Sequence, residues 1–238
     1  MINRKQIEEL VRQKISAVFD TKLYANPPLN FVNEQKLLEC SKNATVLISP
    51  NAIVTPSAQD VAQQLGVRFE VVATGLHIPN LDNITHNSIA IGSDHAGFSM
   101  KESIKSELKG RGHDLFDVGT YSEVSVDYPD FAYPVALLVG SGRCKRGIIV
   151  DGAGIGSAIV ANKIYGVRAA NCNDLFAARN AREHNNSNVL TLGARIIGSA
   201  LALEIVRVWL ETAFAADKHQ KRIDKISKIE ERELRCHS

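Results

Sequence analysis

The stretch that decides the fold is "IIVDGAGIGSAIVANK", which runs from Ile148 to Lys163. A short apolar run ends at Asp151, a glycine-rich turn follows, and the residues after the turn have the pattern of a helix. Successive backbone N–H groups at such a turn and at the start of a helix favour negative charge. The stretch therefore predicts a strand, an anion-binding turn and a helix. The alternative is a tight turn whose glycines serve packing alone.

The same alternation of strand and helix extends to both sides of this stretch, beginning at Ser88. The strands are predicted in "SIAIGSD", "HDLFDVG", "RGIIVDG", "VRAANCND" and "NVLTLGA". Helical segments of about 10 to 15 residues separate them, which predicts an α/β fold with a doubly wound parallel sheet of five strands, Rossmann-like in type. Ligands bind such sheets at the carboxyl ends of the strands.

The first 85 residues predict a smaller appendage, and residues 86–238 the main domain. Apolar residues recur at helical spacing over 7–19, which predicts a leading helix that packs on its own domain or docks onto a partner or larger assembly. A linker, "DTKLYANPPLN", precedes a small β-α-β unit formed by "ATVLIS", "TPSAQDVAQQLG" and "RFEVVAT". The chain ends in a predicted charged helix, "HQKRIDKISKIEEREL".

Composition excludes several classes of function. The net charge is +2, so no strong field marks a nucleic-acid-binding protein. No apolar stretch approaches the roughly 20 residues needed to cross a bilayer, and the charged N-terminus lacks the apolar block of a signal peptide. The four cysteines are scattered, which favours free thiols in a reducing compartment. We therefore expect a cytoplasmic protein with no nucleic-acid or membrane partner.

The glycine turn does not fit a nucleotide cofactor. A dinucleotide fingerprint requires G-x-G-x-x-G, and Ser157 stands where the third glycine is needed. The preceding strand is also the third of its domain rather than the first, and no GK[ST] of a P-loop follows. Histidine and carboxylate spacings typical of a metal site are absent from any one predicted helix. No cofactor and no metal are expected.

Ionisable and polar residues cluster where the predicted strands and helices end. They are Asp94, His95, Asp127, Tyr128, Asp130, Arg182, Glu183, His184, Asn185, Arg195, Lys218, His219 and Arg222. A single histidine is more often structural than catalytic. Three histidines together with carboxylates and cations at neighbouring ends favour an active site.

With these residues in view, the region from Ser88 to Arg232 resembles ribose-5-phosphate isomerase of type B and the galactose-6-phosphate isomerase subunits. The resemblance rests on six motifs in the family's order: "IAIGSDHAGF", "DVGT", "DYPDFA", "GAGIGSAIVANKIYGVRAA", "AREHNNSNVLTLGARIIG" and "HQKRI". It covers about 60 % of the chain. The N-terminal "SPNAIVTPSAQDVAQQLGV" is more weakly similar to segments of enzymes linked to bacterial microcompartments.

This resemblance implies a cofactor-independent aldose–ketose isomerisation of a phosphorylated sugar through a cis-enediolate, in a homodimer or tetramer with sites at the subunit interface. His184 resembles the ring-opening acid/base, assisted by Asp94, because proton transfer is needed to open the furanose ring. The backbone of the turn resembles the nest that stabilises the enediolate anion. Its members are Gly152, Ala153, Gly154 and Gly156. Sugar hydroxyls would be held by His95, Tyr128 and Asn185. The phosphate would be held by Arg195, Lys218 and Arg222, the last two from across a dimer interface.

The sequence departs from the family at the base that moves the carbon-bound proton. Many relatives have a cysteine at position 151 and others a glutamate at position 157, whereas this chain has Asp151 and Ser157. Asp151 is the nearest chemical substitute, with Ser157 or a water molecule as the alternative. Changed or absent isomerase activity is a third reading. The competing functions are a non-catalytic phosphosugar-binding or assembly protein, for example of a microcompartment, and a nucleotide-dependent oxidoreductase.

Overall fold

The computed structural model describes residues 29–71 and 84–236, which form two parallel sheets. The smaller sheet has three strands in the order β1-β2-β3. They are β1 (Leu29–Val32), β2 (Thr45–Val54) and β3 (Arg68–Val71), joined through helices α1 (Glu34–Leu38) and α2 (Pro56–Leu65). The predicted leading helix over 7–19 lies outside the described residues, as does most of the connector to the larger sheet.

The small unit contains the predicted β-α-β element and one strand more. Thr55 caps α2 by accepting a hydrogen bond from the Ala58 N–H group, and Gly66 ends the helix in the left-handed conformation. The additional strand, β1, begins inside the segment that the sequence predicts as a linker. Val32 is fully buried and pairs with Val54 of β2, so tertiary pairing overrides the local proline and asparagine signals.

The larger sheet has five parallel strands in the order β5-β4-β6-β8-β7. The strands are β4 (Ile89–Ser93), β5 (Leu115–Asp117), β6 (Arg146–Asp151), β7 (Ala169–Asn171) and β8 (Val189–Gly193). The helices are α3 (Phe98–Gly110), α4 (Pro129–Gly140), α5 (Ile155–Ala161), α6 (Leu175–Glu183), α7 (Ser199–Glu211) and α8 (Ala216–Cys236). The predicted α/β fold with a five-stranded parallel sheet is confirmed. The boundary at residues 85 and 86 and a docking role for residues 1–85 stay predictions.

Strand β4 marks the point at which the chain reverses its direction of travel across the sheet. β5 lies on one side of β4 and β6 on the other, so the crossovers that leave these strands diverge and open a crevice at their carboxyl ends. Ser93 of β4 is in register with Val150 of β6. Asp94 and Asp151, the next residues along these two neighbouring strands, therefore come to the same crevice.

The core lies on both faces of the central strands. Every residue of β4 and β8 is buried, as is all of β6 except its first residue, Arg146. One face packs against α4 and the other against α3, α6 and α7, whose Trp209 is fully buried. This double covering explains why the strands read as continuous apolar runs. Among the described residues no helix is long and apolar enough to cross a bilayer.

Candidate active site

The Asp151 side chain is turned into its own loop and is held there by four hydrogen bonds. Its Oδ1 accepts the N–H groups of Ala153, at 2.8 Å, and of Gly154. Its Oδ2 accepts the N–H group of Ser157 at 3.0 Å and the Ser157 hydroxyl at 2.5 Å. The residue is 4 % exposed. The carboxylate therefore satisfies part of the anion-binding turn from within the chain.

The remaining N–H groups of the turn are free to bind another anion. Within residues 29–71 and 84–236, the amides of Gly152, Ile155 and Gly156 donate to no acceptor. Gly154 makes the division possible, because its φ of +76° turns the chain in a way that other residues rarely adopt. The predicted nest thus has two sets of donors, one used by Asp151 and one available.

Asp94 lies beside Asp151 but is far less constrained. It is 8 % exposed and accepts a hydrogen bond of 2.9 Å from the Gly97 N–H group, with a weaker contribution from the Ala96 N–H group. Burial raises the pKa of Asp94 above its ordinary value; the Gly97 amide lowers it in part, and repulsion from Asp151 adds to the rise. A buried carboxylate with few donors is a better base than one whose lone pairs are all occupied.

Three other predicted residues line the same end of the sheet. Tyr128 covers the turn so closely that a Cβ on Gly156 would lie 2.6 Å from its Cζ atom. His95 Nδ1 lies 3.2 Å from the Val126 N–H group, which ties it to the loop before α4. Arg195 is exposed, and its N–H group donates to the Gly152 carbonyl at 3.0 Å. A guanidinium and a phenol thus lie beside the turn, and the imidazole is bonded to the loop before α4.

A buried ion-pair network supports the loop next to this end of β4. Lys101 is fully buried, and its ammonium donates to both carboxylate oxygens of Asp117 at 2.8 and 2.9 Å. Asp117 in turn accepts the Gly119 N–H group at 2.9 Å, and Thr120 donates to the Ser93 carbonyl. No residue of this network is among the predicted site residues. The network fixes the position of Ser93, which precedes Asp94.

The other predicted residues lie at the opposite end of the same sheet. Helices between parallel strands return the chain to the end at which the strands begin, so His184 and Asn185, after α6, are at the amino ends. Consistently, the Asn185 carbonyl accepts from Arg168, which immediately precedes β7. Lys218 and Arg222 are at this end too, on α8. Strand β8, at about 3.3 Å per residue, sets roughly 15 Å between the two groups.

His219 joins this second group; the sequence places it in the predicted cluster of ionisable residues but assigns it no role. Its ring stacks on that of His184, with centroids 4.1 Å apart and planes 10° from parallel. It is 6 % exposed, and Arg222 Nη1 donates to its Nδ1 at 3.1 Å. The signal was present in "HQKRI", because residues three apart lie on one face of a helix. The sequence could not show that the start of α8 meets the end of α6, where His184 lies.

The segment that carries His184 and Asn185 is held in place by hydrogen bonds from two arginines and a tryptophan. Arg168 donates to the carbonyls of Asn185 and Asn186, and Arg182 donates to the Asn186 side chain at 2.9 Å and to the Ser187 carbonyl. Trp209 Nε1 donates to the Ser187 hydroxyl at 2.8 Å. These bonds keep Asn186 at a φ of +45° and so set the direction of the segment.

The sequence matches the model of the Ribose/Galactose Isomerase family over residues 89–226, which is more than half of the chain. The chain belongs to this family. Ribose-5-phosphate isomerase B of Escherichia coli is 42 % identical over 144 residues, which are 60 % of this chain and 97 % of the relative. D-erythrulose-4-phosphate isomerase of Pectobacterium atrosepticum is 41 % identical over 148 residues, 61 % of this chain and 97 % of the relative.

The fold of this isomerase family is also found by structural comparison. Ribose-5-phosphate isomerase B of Clostridium thermocellum matches with a TM-score of 0.60 and 48 % identity, over 61 % of this chain and 98 % of that protein. The predicted family and the prediction of an aldose–ketose isomerase acting on sugar phosphates are confirmed. The individual roles predicted for the site residues stay predictions.

Proposed function

We propose that this member of the family interconverts the aldose and ketose forms of ribose 5-phosphate or a related sugar phosphate, without a cofactor, through a cis-enediolate. The observation that carries the proposal is the set of unused amides at Gly152, Ile155 and Gly156 next to the Asp94 carboxylate. An enediolate needs donors where negative charge develops and a base within reach of the adjacent carbon, and this crevice offers both.

Within this proposal, Asp94 is the base that moves the proton between C1 and C2, and Asp151 organises the loop. The support is the contrast in hydrogen bonding, since four hydrogen bonds hold Asp151, whereas Asp94 accepts the Gly97 N–H group and interacts more weakly with that of Ala96. Asp94 takes the proton from C2 and returns it to C1, while the hydroxyl proton moves from the oxygen on C2 to the oxygen on C1, so that no net proton is gained or lost. This assignment differs from the sequence-based prediction, which favours Asp151 as the base.

His184 opens the furanose ring in this scheme, and it does so from a second copy of the chain. It gives a proton to the ring oxygen while the anomeric hydroxyl loses its proton to water, so the sugar's charge is unchanged. The support is the distance between the two groups of residues, because both ends of one sheet cannot contact one sugar phosphate. A symmetric pair of chains lets the amino end of one meet the carboxyl end of the other.

Exposed apolar side chains around the carboxyl end support this pairing. Phe176 is 77 % exposed, and Ile155, Ile159 and Ile196 are each more than half exposed. These four residues, which we call the rim patch, follow the carboxyl ends of β6, β7 and β8. Several large apolar side chains exposed beside a polar site are typical of a protein interface. A partner seated there would bring its Arg222 and Lys218 within reach of a phosphate beside Arg195.

Solvent-proton exchange into candidate sugar phosphates tests the proposed function. The purified chain, in deuterated water, is expected to exchange the C1 or C2 hydrogen of at least one member of a panel of tetrose, pentose and hexose phosphates. Asp94→Asn, which keeps an acceptor for the Gly97 amide, is the matched control and is expected to bind without exchange. Binding without exchange by the wild-type chain across the whole panel would instead indicate a non-catalytic phosphosugar-binding protein.

A further inference from the structure

The stacked pair of His184 and His219 has two different hydrogen-bond partners. His184 Nδ1 faces Asn180 Nδ2 at 2.9 Å, whereas His219 Nδ1 faces Arg222 Nη1 at 3.1 Å. A guanidinium has donors only, so His219 Nδ1 must accept and its single proton must be on Nε2. A side-chain amide has a donor and an acceptor, and rotation by half a turn exchanges them.

This difference decides which of the two rings can carry a charge. His184 can take up a second proton, because Asn180 can then present its carbonyl oxygen to Nδ1–H. His219 cannot do so while Arg222 remains bonded to it. Two imidazolium rings stacked at 4.1 Å would also repel each other strongly.

The charges around His219 act in the same direction. Burial lowers the pKa of His219, and His184, Arg222 and Lys218 lower it further, while Glu183 opposes them. Lys218 and Arg222 belong to its own helix, α8, and Glu183 to the end of α6 packed against it. An uncharged aromatic ring that faces a cation stabilises that cation through its π electrons.

We propose that His219 is a positioning residue for ring opening: Arg222 keeps its imidazole uncharged, and this ring supplies the face against which the imidazolium of His184 forms. The role of His219 in ring opening rests on the proposed function, whereas the hydrogen bonding and protonation of the two rings do not. Arg222 can keep this bond while it binds a phosphate, because only its Nη1 faces His219 and the other guanidinium donors remain for the anion.

The protonation state of the two rings can be measured without turnover. Chains labelled with ¹⁵N in the histidine rings are titrated by NMR, with His219→Phe used to assign the signals. In the wild-type chain His219 is expected to keep a bare Nδ1 and to take its second proton at a pH at least about one unit lower than in Arg222→Gln, whose amide can accept. Equal titration in the two chains would overturn the proposal.

A matched pair of substitutions tests the catalytic consequence. His219→Phe keeps a flat uncharged ring and is expected to retain kcat/KM within about threefold, whereas His219→Leu removes the π face and lowers it about tenfold. The basic limb of the pH–rate profile, on which His184 loses the proton that it donates, should move to lower pH by roughly half a unit in the leucine variant only. If both variants lose activity equally, or the leucine profile does not move, His219 has no such role. If the wild-type chain turns over no sugar phosphate, the proposed function fails, and the NMR comparison still decides this proposal.

Discussion

The Ser157 hydroxyl donates a 2.5 Å hydrogen bond to Asp151 Oδ2, so the two residues at the family's alternative base positions are bonded to each other. Asp151 is also held by three backbone N–H groups of its own loop. Because the donors of its own loop occupy it, this carboxylate mainly stabilises the loop. In the proposed mechanism the proton-transfer base is therefore Asp94, whose carboxylate accepts the Gly97 N–H group.

Exchanging each aspartate for asparagine separates these two roles. Asp94→Asn is expected to lower kcat by about 10² to 10⁴, the usual contribution of a general base, with little loss of stability. Asp151→Asn turns an amide NH₂ toward backbone N–H donors, and the unmet hydrogen bonds should reduce the free energy of unfolding by about 1–3 kcal/mol. Steady-state kinetics and thermal unfolding of both variants check this. If Asp151→Asn were stable but inactive while Asp94→Asn stayed active, Asp151 rather than Asp94 would be the base.

Removal of the Ser157 hydroxyl should have a small effect. Ser157→Ala takes away one of four donors to Asp151 and leaves the three backbone N–H groups in place. We expect a stability loss of about 1 kcal/mol, the net value of one hydrogen bond, and activity within about tenfold of the wild type. Isotope exchange under single-turnover conditions measures the chemical step directly. A loss beyond a hundredfold there would identify Ser157 as part of the proton path.

The raised pKa of Asp94 makes a prediction about stability and pH. In the folded protein its ionised form is disfavoured by burial and by Asp151. The contribution of this residue to stability is therefore complete at pH values below the ordinary carboxyl pKa and is lost as the pH rises through the raised value. Asp94→Asn should melt at or above the wild-type temperature at pH 7–8, and the gap should close on acidification. A gap that widens toward low pH would contradict the direction of the shift.

Mixing two inactive variants tests whether the site is shared between chains. In a dimer of Asp94→Asn with His184→Asn, one of the two sites has an intact carboxyl end and an intact amino end. Random exchange of subunits should therefore restore about a quarter of the wild-type activity. The control pairs Asp94→Asn with the double variant that carries both changes, which leaves no intact site. Failure of the first mixture to gain activity over the control would mean that each chain builds its site alone.

The rim patch should hold the two chains together. Phe176→Asp introduces a charge at the most exposed of its side chains and is expected to dissociate the proposed dimer, because an unpaired charge is costly in an apolar interface. Leu38→Asp is the matched control, since Leu38 is 62 % exposed at the end of α1 and belongs to the small N-terminal unit rather than to the rim patch. Sedimentation velocity measures the mass of each variant in solution. Unchanged mass for Phe176→Asp, or dissociation of both variants, would place the interface elsewhere.

The parts of the fold that follow from local periodicity were predictable. The strands of the larger sheet read as apolar runs because both faces are covered, and their carboxyl ends point to Asp94 and Asp151 without further information. Strand β1 was missed, because four residues next to two prolines gain their stability from pairing with β2 rather than from their own preference. The direction of the Asp151 side chain and the stack on His184 depend on turn geometry and helix packing, which spacing along the chain does not encode.

The separation of the predicted residues to opposite ends of one sheet has a consequence for how the protein would behave on dilution. If every working centre needs one end from each of two chains, specific activity falls as soon as the concentration drops below the dissociation constant of the pair. Turnover then becomes a reporter of association, and initial rates would vary with the square of the protein concentration in that range. Any metabolite that bridges Arg195 of one chain and Arg222 of the other would strengthen the pair and delay that decline.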